Sequence, residues 1–267
     1  MANTLKLMAI LAHPDDETLG FGGALAKYAA EGVETYLITA TRGERGWPGD
    51  PADYPGLEGL GKIREGEVRA AADILGIRDI CFLDYIDGDL DQADTQEAVA
   101  KIVAYIRKVR PQVVITFAPD GAYGHPDHIA ISQLTAAALV AAADSNHVNS
   151  GQPHTVSKLY HKIDTQAEAD LYLSIFDDIV MNIDGVDRRV CIWQNWAVTT
   201  WIRAGEYGDT MLRAVACHRS QMPNFEKMLP ELEKAKRPLC DLQTYLRVYS
   251  LVNGGRGIED DLFAGLR

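Results

Sequence analysis

The chain has 267 residues, of which 47% are hydrophobic and 24% are charged, as in globular proteins large enough to bury a substantial core. Its formal net charge of −12 argues against nucleic acid or an anionic membrane surface as a partner, because both attract basic surfaces. No apolar run approaches the roughly 18 residues of a membrane span and no signal-peptide pattern is visible, so we expect no membrane anchor.

The first 145 residues alternate between strand and helix patterns. Strands are predicted at residues 7–12, 33–39, 80–83 and 113–117. Helices are predicted at residues 18–31, 63–75, 95–110 and 127–143. Strands that alternate with helices imply right-handed crossover connections. They predict an α/β fold with a Rossmann-like, mostly parallel sheet and helices on both of its faces.

Beyond residue 150 the pattern is weaker. Strands are predicted at residues 156–163, 188–192 and 244–252, and helices at 166–174 and 208–219. We expect a single α/β domain over residues 1–267. In it, residues 1–145 form the core, and residues 146–267 close the site and set its specificity.

One long segment, residues 42–61, is rich in Gly, Pro and Asp and has no periodicity. Loops of this length are uncommon inside compact domains and are often functional. Both a lid over the site and a variable surface loop fit this composition.

Two similar motifs follow two of the predicted strands. Residues 12–17 read Ala-His-Pro-Asp-Asp-Glu, and residues 124–128 read Gly-His-Pro-Asp-His. Taken singly, each is also a good helix start, since Pro suits the first helical position and acids suit the first turn. In parallel sheets, however, ligands bind beyond the carboxyl ends of the strands. Two such motifs at that edge therefore favour one shared site.

The residue types in the motifs indicate a metal centre. His13 and Asp16 are three residues apart, so that both side chains can face a point above the strand end, and His128 reaches that point from the second motif. Two imidazoles and one carboxylate are typical of catalytic zinc, which keeps a coordination position for water and lowers the pKa of that water to about 7. Asp15 lies beside a ligand and is the candidate general base.

The second motif offers further catalytic groups. His125 lies three residues before His128 and is predicted to face the substrate. We expect Asp127 to hydrogen-bond His125 and to raise its pKa, so that the imidazole is cationic. Tyr123 adds a phenolic O–H. With the metal, His125 and Tyr123 would stabilise the oxyanion of a tetrahedral intermediate, which predicts a metal-assisted amide or ester hydrolase.

Together the two motifs resemble those of the PIG-L/LmbE-like zinc-dependent N-deacetylases, over about residues 5–145. That family includes the N-acetylglucosaminyl-phosphatidylinositol deacetylases and the deacetylases of mycothiol and bacillithiol biosynthesis. The resemblance implies three ligands of Zn²⁺, or of another divalent ion such as Fe²⁺: His13, Asp16 and His128. It implies catalytic roles for Asp15 as the base, His125 as the stabiliser or acid, Asp127 as its tuning partner, and Tyr123.

The resemblance also implies a substrate class and two further site residues. The substrate would be a small N-acetylated glucosamine or a conjugate of it. The resemblance is compatible with a homo-oligomer, and the oligomeric state stays open. Arg64 fits an Arg-Glu pair that the family has after its first long loop; substrate contact and a plain helix-surface pair are both open. His218 occupies the basic position of a second family feature, as a substrate contact or as a cap of the preceding helix.

The cysteines bear on the cellular compartment. Cys81, Cys191, Cys217 and Cys240 are scattered and form no Cys-x-x-Cys pair. This spacing predicts buried free thiols and neither a disulfide framework nor a thiolate metal site, as in a cytoplasmic protein.

Parts of the sequence also suggest other functions. Gly-Phe-Gly-Gly at residues 20–23 suggests a dinucleotide-binding protein, but Leu25 stands where the third Gly of that motif belongs, so close helix–sheet packing is favoured. A purely structural metal site is usually closed by four protein ligands and has no use for Asp15. An esterase with the same site stays open. The three tryptophans in residues 193–201 fit core packing better than a sugar platform.

Overall fold

The fold is described from a computed structural model, over residues 4–147, 151–176, 180–183, 185–226, 229–252 and 257–267. Its strands are β1 (Lys6–Leu11), β2 (Glu34–Thr41), β3 (Ile77–Tyr85), β4 (Val113–Phe117), β5 (Lys158–Lys162), β6 (Asp164–Thr165), β7 (Val180–Ile183), β8 (Val186–Arg189), β9 (Ile192–Trp193), β10 (Thr200–Ile202) and β11 (Gln243–Ser250). Its helices are α1 (Asp16–Leu19), α2 (Gly22–Ala30), α3 (Gly56–Leu75), α4 (Thr95–Val109), α5 (Gly121–Gly124), α6 (Pro126–Ala143), α7 (Gln166–Phe176), α8 (Gly208–Val215), α9 (Met222–Phe225) and α10 (Leu229–Asp241).

Seven strands form the central sheet in the order β10-β11-β5-β4-β1-β2-β3. The five strands from β3 to β5 run parallel, whereas β11 is antiparallel to both β5 and β10. Helices α4 and α6 pack against each other, while α2 and α3 pack together with α8. The predicted α/β fold with a mostly parallel, helix-covered sheet is confirmed.

The strand order places a topological switch point between β1 and β4. The chain moves from β1 outward to β2 and β3, and then returns to add β4 and β5 on the other side of β1. The connections after β1 and β4 therefore diverge and leave a crevice at their carboxyl ends, where α/β proteins bind ligands. Each of the two histidine motifs follows one of these two strands.

The core strands are fully buried apolar runs, as expected for a parallel sheet covered on both faces. Residues 7–12, which span most of β1 and the position after it, are all 0% exposed, and the five residues of β4 are buried as well. The C-terminal third contributes β5, β10 and β11 to the same sheet. The single domain over residues 1–267 stays a prediction that this shared sheet supports.

Several element boundaries differ from those predicted. The helix predicted at residues 18–31 is broken between α1 and α2, and the one predicted at 63–75 begins at Gly56. The loop predicted at 42–61 therefore ends at Pro55. The predicted strand at 188–192 is interrupted between β8 and β9, and the helix at 208–219 ends at Val215.

Five elements of the C-terminal third were not predicted: β6, β7, β10, α9 and α10. Helix α10 carries Pro238 in its interior and many charges, and both features hide an apolar periodicity. Strand β10 has three residues, which pair with β11 and, at Thr200, with Glu259, so it is too short to show a pattern of its own. Cys240 is buried as predicted, but the expectation of burial is wrong for the other three cysteines, which are half-buried free thiols.

Candidate metal centre

The turn after β1 brings the first motif to the crevice. The carboxylate of Asp16 accepts the backbone N–H of His13 at 2.8 Å and that of Ala12 at 3.2 Å, which fixes the turn before α1 begins. His128 comes from the first turn of α6, where its ring stacks on Phe117 at the end of β4 with 3.9 Å between ring centroids. Both histidines are buried.

The three predicted ligands meet at one point. His13 Nδ1 lies 3.2 Å from His128 Nε2 and 3.8 Å from Asp16 Oδ2, and His128 Nε2 lies 3.4 Å from Asp16 Oδ1. One ligand atom from each residue lies within 4.8 Å of the others, as a metal-ion site requires. The nitrogen, nitrogen and oxygen donors suit a divalent transition metal.

Hydrogen bonds on the far side of each ring select the nitrogen that faces this point. His128 Nδ1 lies 3.2 Å from the carbonyl oxygen of Gly121, which leaves Nε2 free. His13 Nε2 lies 3.0 Å from Asp127 Oδ2 and 3.2 Å from Asp87 Oδ1, which leaves Nδ1 free. Such outer partners are typical of metal-binding histidines, because they fix the tautomer and orient the ring.

The electrostatics of this group favour a cation. Burial disfavours the carboxylate of Asp16, but His128 and His13 outweigh it and hold the pKa of Asp16 well below its ordinary value. Burial opposes the charged form of Asp87, but the hydrogen bond and charge of His13, together with the charge of Arg64, lower the pKa of Asp87 to about 2. Burial opposes protonation of His13, yet hydrogen bonds to Asp127 and Asp87 raise the pKa of this imidazole. Asp16 thus presents an anionic oxygen to the shared point, and the carboxylates of Asp87 and Asp127 lie behind the His13 ring.

Asp15 lies beside the three ligands in a rare backbone conformation. Its φ of 106° is in the left-handed region, which a non-glycine residue seldom adopts. Its carboxylate accepts a hydrogen bond from Arg64 Nη2 at 3.0 Å, and about a quarter of the side chain is exposed. Burial raises the pKa of Asp15 to about 6, although Arg64 opposes the shift. A carboxylate with this pKa can exchange protons near neutral pH.

The pairing predicted between His125 and Asp127 is wrong. The Asp127 carboxylate bonds to His13 and accepts the backbone N–H groups of Gly88, at 2.7 Å, and Leu90, at 3.1 Å. His125 Nδ1 instead accepts the backbone N–H of Asp127 at 3.1 Å, because His125 is the N-cap of α6. The ligand atoms of the two side chains lie within 4.8 Å of each other, but Asp127 makes its hydrogen bonds to other groups.

The predicted charge of His125 is also wrong. Burial and the neighbouring His13 and His128 lower the pKa of His125 to about 4, so the imidazole is neutral at pH 7. Since Nδ1 accepts a hydrogen bond, the ring proton sits on Nε2. Tyr123 lies against His128 with ring centroids 5.3 Å apart, and burial raises the pKa of its phenol, which keeps the O–H as a donor.

Arg64 and His218 are both buried, which bears on the helix-surface pair considered for Arg64 and the helix cap considered for His218. Arg64 is 3% exposed and donates to the carbonyl oxygens of Gly43 and Pro14 as well as to Asp15, so the helix-surface pair is wrong for its side chain. His218 is 1% exposed, and its Nε2 lies 2.7 Å from Glu17 Oε1. Its imidazole makes no hydrogen bond to the end of α8.

Asp87 and Glu17 are site residues that the sequence reasoning missed. Asp87 follows β3 and is thus at the carboxyl end of a third parallel strand, which was the available signal. Glu17 is the last residue of the first motif and read as a helix-start acid, but its side chain is fully buried. Its partner is 201 positions away in the chain.

The segment after β3 joins this site to the first long loop. Glu44 is buried in that loop. Its Oε2 atom accepts the backbone N–H groups of Arg42 and Asp87, each at 3.2 Å. The Tyr54 hydroxyl donates to the Glu44 carbonyl at 2.8 Å. These bonds attach the loop to the edge of the metal centre.

The predictions that the glycines of residues 20–23 and the tryptophans of residues 193–201 serve packing are only partly met. A Cβ atom on Gly23 would lie 2.9 Å from Cys240 Sγ, so close packing explains that glycine. The indole N–H groups of Trp193 and Trp201 donate to Asp120 and to a carbonyl oxygen, respectively. The core-packing prediction is wrong for Trp196, whose side chain is 85% exposed.

Among the residues that the structure describes, no helix has the length and apolarity needed to cross a membrane.

Comparison with known proteins identifies similar sequences and folds. The family model of GlcNAc-PI de-N-acetylase, PIG-L, matches residues 8–139, which include both motifs. A 1D-myo-inositol 2-acetamido-2-deoxy-alpha-D-glucopyranoside deacetylase from Rhodococcus erythropolis is 38% identical, and the alignment covers 99% of each chain.

Solved structures confirm the fold. The conserved protein TT1542 from Thermus thermophilus is 27% identical with a TM-score of 0.67, covering 94% of this chain and 98% of that one. A 4-carboxy-2-hydroxymuconate hydratase from Pseudomonas putida reaches a TM-score of 0.68 at 19% identity, covering 94% and 99%. Because this fold carries different chemistries, the site residues and the sequence relatives must identify the reaction.

Proposed function

The chain belongs to the PIG-L family of de-N-acetylases and is an N-deacetylase, and we propose that it is a zinc-dependent hydrolase of N-acetylglucosamine units. Its substrate is a small sugar conjugate of the kind named for the Rhodococcus relative, in which the acetamido sugar is joined to inositol. The observation that carries the proposal is the convergence of His13, Asp16 and His128 on one point, with Asp15 beside it.

We assign the metal to His13 Nδ1, His128 Nε2 and the Asp16 carboxylate. A divalent ion held by such a set lowers the pKa of water and polarises an amide carbonyl. Zn²⁺ fits the two imidazoles and one carboxylate, and Fe²⁺ is the second candidate.

The protein groups then divide the proton transfers. Asp15 accepts a proton from the water that attacks the acetamide carbon, and Arg64 keeps its carboxylate oriented. His125 Nε2–H donates to the developing oxyanion as a neutral imidazole, and Tyr123 is a second donor. Asp15 returns the proton to the nitrogen as the C–N bond breaks, which releases acetate and the free amine. A neutral His125 is a weaker acid candidate, because its proton is the one that holds the oxyanion.

An amine-release assay tests the proposed function. The purified enzyme, loaded with Zn²⁺ or Fe²⁺ or stripped by a chelator, is offered N-acetylglucosamine, its inositol conjugate, an acetamide without a sugar, and an acetyl ester. We expect metal-dependent amine release that is fastest with the sugar conjugate. Release of acetate from the ester alone would favour the esterase instead. Sedimentation of the same sample measures the oligomeric state and checks the proposed homo-oligomer.

We also propose a cytoplasmic location, which the free thiols support.

Replacing His125 by Ala is expected to lower kcat by about 10²- to 10³-fold, the usual loss when one oxyanion donor is removed. Metal content should be unchanged, since His125 is outside the proposed ligand set. Steady-state kinetics with metal analysis checks this result. Asn at the same position can donate a hydrogen bond and should recover part of the rate, whereas an unchanged kcat in the Ala variant would exclude the assigned role.

Replacing Asp127 by Asn is expected to weaken metal binding or activity by about 10- to 100-fold. The carboxylate accepts the His13 ring proton and the Gly88 N–H through Oδ2 and the Leu90 N–H through Oδ1. An amide has one acceptor oxygen, so its NH2 group must face one of these donors, and the His13 tautomer that frees Nδ1 loses support. Competition with a chromogenic chelator measures the affinity. Asp91→Asn removes the same charge from an exposed neighbouring position and should bind metal normally.

A further inference from the structure

The backbone of Asp15 is fixed by a residue of its own motif. The Asp15 N–H donates to Glu17 Oε2 at 2.9 Å, while its carbonyl oxygen accepts from Thr18, at 2.9 Å from the backbone nitrogen and 2.7 Å from the hydroxyl. A left-handed non-glycine residue keeps its conformation only where neighbouring contacts determine it. Glu17 is therefore one of the groups that hold Asp15 in the conformation seen here.

Glu17 depends in turn on a distant histidine. Its other oxygen, Oε1, lies 2.7 Å from His218 Nε2, and the two side chains are 0% and 1% exposed. A buried carboxylate without a partner is costly, so the imidazole is needed where it is. His218 belongs to the segment after α8, and α8 packs on α1 and α3.

Three hydrogen bonds near His218 hold that segment in place. Glu67 of α3 accepts the backbone N–H of Ser220 at 2.6 Å and its hydroxyl at 2.7 Å. Gln221 donates to the carbonyl oxygen of Gly46 at 2.7 Å. The histidine thus reaches Glu17 from a fixed scaffold.

We propose that Glu17 and His218 form a positioning pair, in which His218 holds the Glu17 carboxylate against the Asp15 N–H and so aims the Asp15 side chain at the reacting water. The inference rests on the proposed function, because it takes Asp15 as the base. Neither residue touches substrate: both are fully buried, and the oxygens of Glu17 are occupied by Asp15 and His218. If the pair only stabilised the packing of α1 on α8, a substitution in it would lower the stability of the fold and leave turnover per folded enzyme unchanged.

The test compares Glu17→Leu with Glu17→Gln in the zinc-loaded full-length enzyme. Leu cannot accept the Asp15 N–H, and we expect kcat to fall about 10- to 100-fold, as for a displacement of about 1 Å in a catalytic group. KM should stay within about twofold and metal content should stay full. Gln keeps an acceptor for the N–H and can donate to a neutral His218, so most of kcat should return. Thr35→Val, which removes one buried hydroxyl contact to the Gly76 carbonyl at the opposite end of the sheet, is the control and should keep the wild-type kcat.

A double-mutant cycle distinguishes action through Asp15 from a general effect. In the Asp15→Asn background, Glu17→Leu should cost no further activity, because the group that it positions is gone. A loss that multiplies with that of Asp15→Asn, a normal kcat in Glu17→Leu, or a loss of metal from it would each overturn the positioning role. If Glu17→Leu does not fold, His218→Leu and His218→Gln form the corresponding pair, with Gln as the donor that restores the rate.

The same experiment separates this inference from the proposed function. An Asp15→Asn enzyme with near-normal turnover, or a wild-type enzyme that releases no amine from any acetamide, would overturn the function and this pair with it. An inactive Asp15→Asn enzyme combined with a multiplying loss in the double variant would overturn the positioning pair alone.

Discussion

Asp15→Asn is expected to lower kcat by about 10²- to 10⁴-fold while the enzyme keeps its full metal complement. Asn has the shape of Asp and can still accept the hydrogen bond from Arg64, so the turn and the proposed ligands stay in place. It cannot accept a proton. Metal analysis and kinetics on one preparation check both halves of this result, and Asp53→Asn, at an exposed loop position, is the matched control.

The pH dependence of wild-type activity should also report on Asp15 as the base. Burial raises the pKa of Asp15 to about 6, and the base acts only when it is deprotonated, so activity should be full above this pKa and fall as the pH drops through it. A cation at the neighbouring ligands favours the carboxylate and moves this limb to or below about pH 6. Asp15→Asn should lack the limb. Loss of metal from Asp15→Asn would instead make Asp15 a ligand.

His13→Ala is expected to lose both the metal and the activity. The substitution removes Nδ1 from the proposed ligand set and leaves the carboxylates of Asp127 and Asp87 without their shared imidazole partner. Loss of an outer partner alone typically costs about 10- to 100-fold in metal affinity, so loss of a ligand should exceed about 100-fold.

Calorimetric titration of the stripped protein with Zn²⁺ measures this loss. His147→Ala removes a histidine outside the site and should bind the ion normally. His128→Ala should behave like His13→Ala. A His13→Ala protein that bound zinc with wild-type affinity would place the ion elsewhere and remove the basis of the proposed mechanism.

The parts of the site that follow strands could be predicted from local sequence. β1 and β4 are apolar runs that end in unusual polar motifs, and the strand order places those ends on either side of the switch point. Parallel pairing then brings His13, Asp16 and His128 together without any long-range information. The resemblance to the PIG-L family depended on the same residues and is confirmed by the sequence relatives.

What could not be predicted was the set of partners that each side chain selects. His125 and Asp127 are close in sequence, but His125 caps its own helix and the Asp127 side chain points across to His13. Asp87 has no motif around it, and the partner of Glu17 lies in the region with the weakest pattern. Such pairings depend on tertiary packing, which periodicity does not encode.

The connections after β1 and β4 each contain a non-glycine residue at positive φ, Asp15 in the first and Ala122 in the second. The C-terminal third reaches both loops, through His218 to Glu17 and through the backbone N–H of Cys191, which donates to the Ala122 carbonyl oxygen at 2.7 Å. During synthesis on the ribosome, all the proposed metal ligands emerge well before these contacts can form. The nascent N-terminal half would therefore contain every proposed ligand but lack the contacts that complete the site. We expect that fusing this half to another protein would not confer the activity.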